Sequence, residues 1–419
     1  MKHLTSLHRW LLMLLVLTAS ILNLVDRQII AVLKPTISAE LGWSDNDYGS
    51  LAAWFQGSAA IAFLFTGWIA DRLGVKWANP IGVAAWSLAA IAHGWAATMT
   101  QFIVVRATLG ATEAMGTPNG VKTIAAIFPP HLRSIGFGLF NAVGSIGAVV
   151  APLMIPLLAA LWGWRMAFVI AGGLGFVWAG LWLVTTRRLD FNPPRPATPA
   201  TPQPEADERP LLTERRTWAV AAAKLFSDST WWLMLFWMPD FFNRQFGLSG
   251  TGLGPPLAIA YCGAAAGSLI AGAAASRLLA RGWSVGRTRK TVMLVSALVV
   301  VPVPMALQAD ALWVATAIMA LTMAGHQGFS STLFALIADI TPGAKVGRVT
   351  SFGAFCGNMG GMAIVWIAGR VLTAGLGYAP MFLFAAISYL LALGSIQLLL
   401  PRIVAVDRTH AKVAEPLET

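Results

Sequence analysis

The sequence is poor in charge. Asp, Glu, Lys and Arg make up 11% of its 419 residues, against about 25% in an ordinary soluble domain. Acids are scarcer than bases, with 18 Asp and Glu beside 29 Lys and Arg. Such a deficit excludes a water-facing surface wrapped around a soluble core. Cysteine is nearly absent, and the two present, Cys262 and Cys356, sit inside apolar runs. That placement argues against a disulfide framework and against a cysteine-based metal site. Also missing are a phosphate-cradling loop of the Walker type, an H-E-x-x-H pair and a nucleophile elbow. Neither an ATP-driven pump nor an enzyme is expected, and no metal or cofactor site is read from these residues.

What fills the chain is apolar: 57% of residues, with a mean hydropathy of +0.68. A membrane-crossing helix needs about 20 mostly apolar residues. Runs of that length fall at 10–34, 50–70, 78–97, 101–128, 134–158 and 166–186, then at 217–242, 253–276, 290–308, 311–338, 348–373 and 378–400. The stretch 187–216 between the two groups is rich in Pro, Thr, Ala and charge, a composition that buries no core and reads as a linker. The expected organisation is a six-helix bundle over 1–186, a cytoplasmic linker over 187–216, a second six-helix bundle over 217–400 and a cytoplasmic tail over 401–419. The fold class is an all-α polytopic membrane protein.

The formal charge of +11 does not point to nucleic acid, because the basic residues lie between apolar runs rather than on one soluble patch. With the N-terminus inside, most Lys and Arg fall on inner segments, while the outer loops hold only Lys34, Arg165, Arg244 and Arg370. That asymmetry places both termini and the linker in the cytoplasm. Lys2 and Arg9 before Leu11–Leu17 resemble the start of a signal peptide, but no small-residue cleavage site follows. The run is read as an uncleaved first span, in the inner membrane of a bacterium.

Four cations remain at membrane depth: Arg27, Arg106, Lys122 and Lys224. Asp26, Glu113 and Asp228 lie at comparable depth. Each such charge costs about 2.5–3.5 kcal/mol on insertion scales, so these residues tend to pair or to face a cavity. Arg106 and Glu113 are seven residues apart, two turns along one helical stripe. Asp26 and Arg27 point about 100° apart, so one can face a cavity while the other faces a neighbouring helix. Lys122, beyond Pro118, either snorkels to the cytoplasmic end or faces inward. Arg suits bidentate recognition of a carboxylate, and a carboxyl group in a dry site holds a proton more readily. Cations beside protonatable acids suggest a small organic anion moving with protons as the coupling ion.

Between the second and third spans, Gly67-Trp68-Ile69-Ala70-Asp71-Arg72-Leu73-Gly74-Val75-Lys76 resembles the G-x-x-x-D-R-x-G-x-K signature of the major facilitator superfamily. Glycine there allows close helix approach, and Asp71, Arg72 and Lys76 suit an inner-side latch. Asn23-Leu24-Val25-Asp26-Arg27 is similar to the N-Y-x-D-R of the anion:cation symporter branch, and Arg106-Ala107-Thr108-Leu109-Gly110-Ala111-Thr112-Glu113-Ala114 to its R-x-x-x-G-x-x-E-A. Asn141, Gly325-His326-Gln327, Asn358 and Asp228 resemble the pattern of hexuronate and galactonate transporters.

The resemblance implies twelve helices in two bundles around a central cavity. It implies Arg27 and Arg106 as carboxylate contacts, and Asp26 and Glu113 as proton-coupling acids. Asn358, Gln327 and Asn141 would contact hydroxyls. His326 is either a ligand or a packing residue, and Trp231, Trp232 and Trp237 either stack on a sugar ring or pack between helices. Two departures concern the pocket: Leu24 and Ala59 stand where relatives carry tyrosines, so a different or less hydroxylated monocarboxylate enters as an alternative. The expected activity is proton-coupled uptake of a sugar acid by a monomer that binds no nucleic acid. A drug/proton antiporter of the same superfamily is the rival.

Overall fold

The structure, a computed structural model, describes residues 6–129, 132–189 and 210–403. Its elements are α1 (Ser6–Val32), α2 (Lys34–Leu41), α3 (Asp45–Ala92), α4 (Met99–Glu113), α5 (Gly116–Ile127), α6 (Arg133–Trp162) and α7 (Trp164–Thr186) in the first half. The second half holds α8 (Arg215–Phe246), α9 (Gly254–Ala280), α10 (Val285–Val300), α11 (Leu312–Ile340), α12 (Gly343–Thr373) and α13 (Ala379–Leu399). Most of the linker and the tail from residue 404 lie outside the described residues.

Twelve transmembrane segments form two six-helix bundles, though their borders differ from the hydropathy reading where backbone chemistry intervenes. The second and third segments run together as α3, bent at Gly74, whose φ of 68° takes the left-handed region that glycine tolerates. The fourth segment is broken into α4 and α5 at Ala114–Met115, and Pro118 occupies the first turn of α5, where its missing N–H does no harm. Pro35 likewise starts α2 just after α1 ends. The ninth segment closes with a 3-10 turn at Val303–Gln308, since Pro302 and Pro304 cannot extend the α-helical ladder. Capping boxes of Ser44 with Asp47 and Thr98 with Gln101 fix the starts of α3 and α4.

Among the described residues, seven helices meet the length and apolarity of a membrane span by themselves, with large apolar residues such as Leu64, Val184, Leu269 and Leu398 exposed on their outer faces. In lipid the drive to bring helices together is close packing rather than water exclusion. Thus Gly267 of α9 lies so near α11 that a Cβ there would stand 2.1 Å from the carbonyl oxygen of Ala324.

The halves meet through α3 with α12, α6 with α9 and α1 with α8. These contacts gather at the end of the molecule away from the linker. There Gly49 faces Gly369, the Asn46 amide donates to Thr373 Oγ1 at 3.0 Å, and Tyr48 Oη donates to the Phe236 carbonyl at 2.7 Å. At the linker end, by contrast, the pairs Asp71–Lys122, Arg289–Asp339 and Glu214–Lys345 each join elements of one half.

Candidate functional site

A cavity of about 370 Å³ opens between the halves at middle depth. On its first wall α1 places Asn23 and Arg27 one turn apart. Arg27 donates through Nε and Nη2 to Glu113 Oε2, both at 3.0 Å, and through Nη2 to Asn23 Oδ1 at 3.2 Å. Asn23 in turn donates to the Glu113 carbonyl at 3.4 Å, at the end of α4 where the helix breaks. The guanidinium rests between the rings of Phe55 and Trp232, 5.3 and 5.2 Å from their centroids. A cation so flanked keeps a planar hydrogen-bonding edge while its faces are covered.

Arg106 and Asp26 sit one layer behind. Arg106 is fully buried over Phe55, 4.5 Å from the ring centroid, and donates through Nη2 to the carbonyl of Arg27 at 2.9 Å. It is absent from the cavity wall; Arg27 is the arginine that reaches it. Two helical turns toward the far end separate Arg106 from Glu113, and that level is filled by Phe55 and Phe236. Asp26, also buried, interacts with both Glu113 and Arg106, and its Oδ1 has no hydrogen-bond partner. The four charges therefore form one cluster with a single cation at the cavity surface.

The opposite wall comes from α8, α11 and α12. Gln327 and Asn358 both line it, and Asn358 Nδ2 donates to the Ala354 carbonyl at 2.8 Å, leaving its amide oxygen toward other partners. His326 lines it too, held by Tyr389 Oη at 2.6 Å and stacked on Trp231 at 4.9 Å. Lys224 and Asp228 complete this side as an ion pair at 3.0 Å. Trp231 and Trp232 border the cavity, whereas Trp237 is buried against Tyr48. The side chain of Asn141 lies outside the described residues. Among those residues no cluster of His, Cys, Asp or Glu is arranged to hold a metal ion.

The loop motif does not touch the cavity. Asp71 pairs with Lys122, whose Nζ also donates to the Gly67 carbonyl at 3.1 Å, so the second and fourth segments are tied together. Lys76 Nζ reaches the carbonyls of Arg187 and Leu189, both at 3.3 Å, and Arg72 lies 4.1 Å over the Trp68 ring. Lys122 thereby belongs to the linker-end latch.

The far end carries a network that reading the sequence missed. Lys34 pairs with Asp45 at 2.7 Å and with Asp240; Arg244 pairs with Asp240 at 2.7 Å and with Asp45; Tyr378 donates to Asp240. Lys34 and Asp45 come from the first half and Asp240, Arg244 and Tyr378 from the second, so the network clasps the halves. Lys34 had read as a loop cation, yet it is buried over the Tyr48 and Trp237 rings. The one available signal was the Asp240/Arg244 pair at i,i+4 near the end of an apolar run. Nearby, Glu40 accepts from Arg165 Nη1 at 2.5 Å and Trp164 Nε1 at 2.7 Å; the arginine's hydrogen bond, then the indole's, holds its carboxyl below the usual range.

Comparison with known proteins agrees with this architecture. A family model described as Major Facilitator Superfamily matches residues 16–362. The chain is 25% identical over 417 residues to a D-galactonate transporter of Escherichia coli O6:H1, covering 93% of this chain and 96% of that one. It is 27% identical over 254 residues to a hexuronate transporter of Escherichia coli K12, covering 58% and 59%. Among solved structures, a bacterial homolog of the human lysosomal transporter Spinster superposes with a TM-score of 0.71 at 18% identity, over 95% of this chain and 96% of that one.

Proposed function

This chain belongs to the Major Facilitator Superfamily and is a transporter rather than an enzyme, and from that premise we propose that it takes up a sugar acid, an aldonate or hexuronate, together with protons. The observation that carries the reading is Arg27: a cation on the cavity wall at middle depth, held by a carboxylate that could be protonated and replaced. The names of the relatives support the substrate class. Amide groups of Asn23, Gln327 and Asn358 around the same cavity suit a hydroxylated anion.

In this reading the linker end and both termini face the cytoplasm of a bacterium, and the clasped far end faces outside. With the far end open, Glu113 takes a proton and lets go of Arg27, and the substrate carboxylate takes its place. Charge on the wall is then balanced, which removes the penalty for closing the site. Asp26, coupled to the same cluster, is the second proton site. Arg106 acts through the backbone of Arg27. As the halves rock, Lys34, Asp45, Asp240 and Arg244 close the outer end, and substrate and protons leave toward the linker side. Glu113 then pairs again with Arg27, the arrangement seen here. No cofactor takes part, and the monomer is the working unit.

The test is uptake of labelled galactonate, glucuronate and galacturonate into proteoliposomes, with and without an inward proton gradient. Accumulation of one acid that collapses with a protonophore is expected. Folded protein that moves none of them, but expels lipophilic cations against a proton gradient, would replace this reading with a drug antiporter.

A further inference from the structure

The second wall of the cavity repeats the arrangement of the first: a cation held by a carboxylate. Lys224 and Asp228 of α8 lie 3.0 Å apart at membrane depth, the lysine buried and the aspartate half-buried, and both border the cavity. Because they share one helix at i,i+4, their pairing locks no helix to another. On an exposed helix such a pair contributes only about 0.3–0.5 kcal/mol, whereas each charge at this depth costs about 2.5–3.5 kcal/mol. A packing role therefore leaves the pair unexplained.

Its surroundings are shaped to admit it. Two glycines of α12 make the room: a Cβ on Gly357 would stand 2.4 Å from Asp228 Oδ2, and one on Gly353 3.3 Å from Lys224 Cγ. The ammonium lies 4.4 Å from the Phe334 ring centroid. It has three N–H donors, and the two Asp228 oxygens, at 3.3 and 3.0 Å, share one side of it.

Arg27 lies against Trp232, which is one turn beyond Asp228 and two beyond Lys224 on the same helix. At 1.5 Å per residue, the two cations are offset by about 6–12 Å along α8. An extended six-carbon chain separates its terminal carbons by about 6 Å, from five carbon–carbon bonds near 1.5 Å in zigzag.

Resting on the sugar-acid reading, we propose that Lys224 is a second carboxylate-binding residue and that the preferred substrate is a six-carbon sugar diacid. One carboxylate sits on Arg27, the other on Lys224 beside or in place of Asp228, and the hydroxyls between them face Asn23, Gln327 and Asn358.

The test is competition in proteoliposomes of the full chain. Galactarate, a diacid, and galactonate, its monoacid, are titrated against labelled uptake in the wild type, Lys224→Gln and Lys224→Arg. In the wild type, galactarate should inhibit at a concentration at least about tenfold below galactonate, the worth of one charge-assisted hydrogen bond. Lys224→Gln should erase that ratio and Lys224→Arg should keep most of it. A wild-type ratio near one overturns the inference while leaving the sugar-acid reading intact, and it does so whether or not Lys224→Gln folds. A ratio unchanged in folded Lys224→Gln also overturns it. Transport of neither acid by the wild type sinks both readings together.

Discussion

Arg27 and Glu113 face each other at 3.0 Å across 86 residues of chain, and only the arginine reaches the cavity. The carboxylate behind it is fully buried. In the proposed cycle a substrate anion and the Glu113 carboxylate compete for this one guanidinium edge.

Glu113→Gln keeps the shape of the side chain and a carbonyl for Arg27, but does not titrate. Exchange of internal for external substrate should persist. Net accumulation under a proton gradient should fall to an inside-to-outside ratio of about one, since the gradient then has no differential interaction to act on. Proton-driven accumulation at the wild-type level would remove Glu113 from the coupling.

The two arginines should respond differently. Arg27→Ala should weaken substrate binding by about 10–150-fold, the equivalent of one charge-assisted hydrogen bond at about 1.5–3 kcal/mol, in protein that still folds. Arg106→Ala leaves Asp26 and Glu113 less compensated in a buried cluster, an error that costs about 3–5 kcal/mol, so the thermal midpoint should fall first. Isothermal titration and melting curves on the same samples separate these effects. Arg106→Ala with wild-type melting and a similar loss of affinity would move Arg106 into direct contact with substrate.

Lys34→Met removes one of the two cations that pair with Asp240 and Asp45 at the clasp between the halves, leaving Arg244 alone to compensate both acids. Breaking a buried pair costs about 3–5 kcal/mol, enough to invert a two-state population. Spin labels at Ala39 and Gln245, exposed far-end positions on opposite halves, report the change once Cys262 and Cys356 are replaced. The wild type should give mainly the short distance and Lys34→Met a dominant longer one. Identical distance distributions would show that the clasp does not set the equilibrium.

Glu214, outside the spans, accepts from Arg216 and from Lys345 Nζ, the latter at 2.5 Å; the arginine's hydrogen bond, partly opposed by burial, holds its carboxyl below the ordinary value of 4.5. A lowered folded-state value means the contribution is present above pH 4.5 and lost as pH falls through the folded value. Glu214→Gln should therefore melt below the wild type by a constant offset from pH 5 to 8, and the offset should shrink only under more acid conditions. An offset that changes between pH 6 and 8 would tie the difference to another group.

Along the chain, the apolar runs already specified the number of segments, because lipid satisfies no backbone hydrogen bond and each crossing must be helical and about 20 residues long. Arg27, Arg106, Asp26 and Glu113 were legible for the same reason: a charge in lipid is conspicuous. Their ranking was not. Neighbours in sequence point about 100° apart, so whether Asp26 or Arg27 meets the cavity depends on how α1 rotates against α4 and α8. Lys34 carried no signal and Asp240 only its i,i+4 spacing to Arg244, since each lies near a span end, where charge is cheap, and they are 206 residues apart. Hydropathy thus settles how many helices cross and which charges demand partners, whereas which cation faces the cavity and which residues clasp the halves depend on helix rotation and long-range packing that no local pattern encodes.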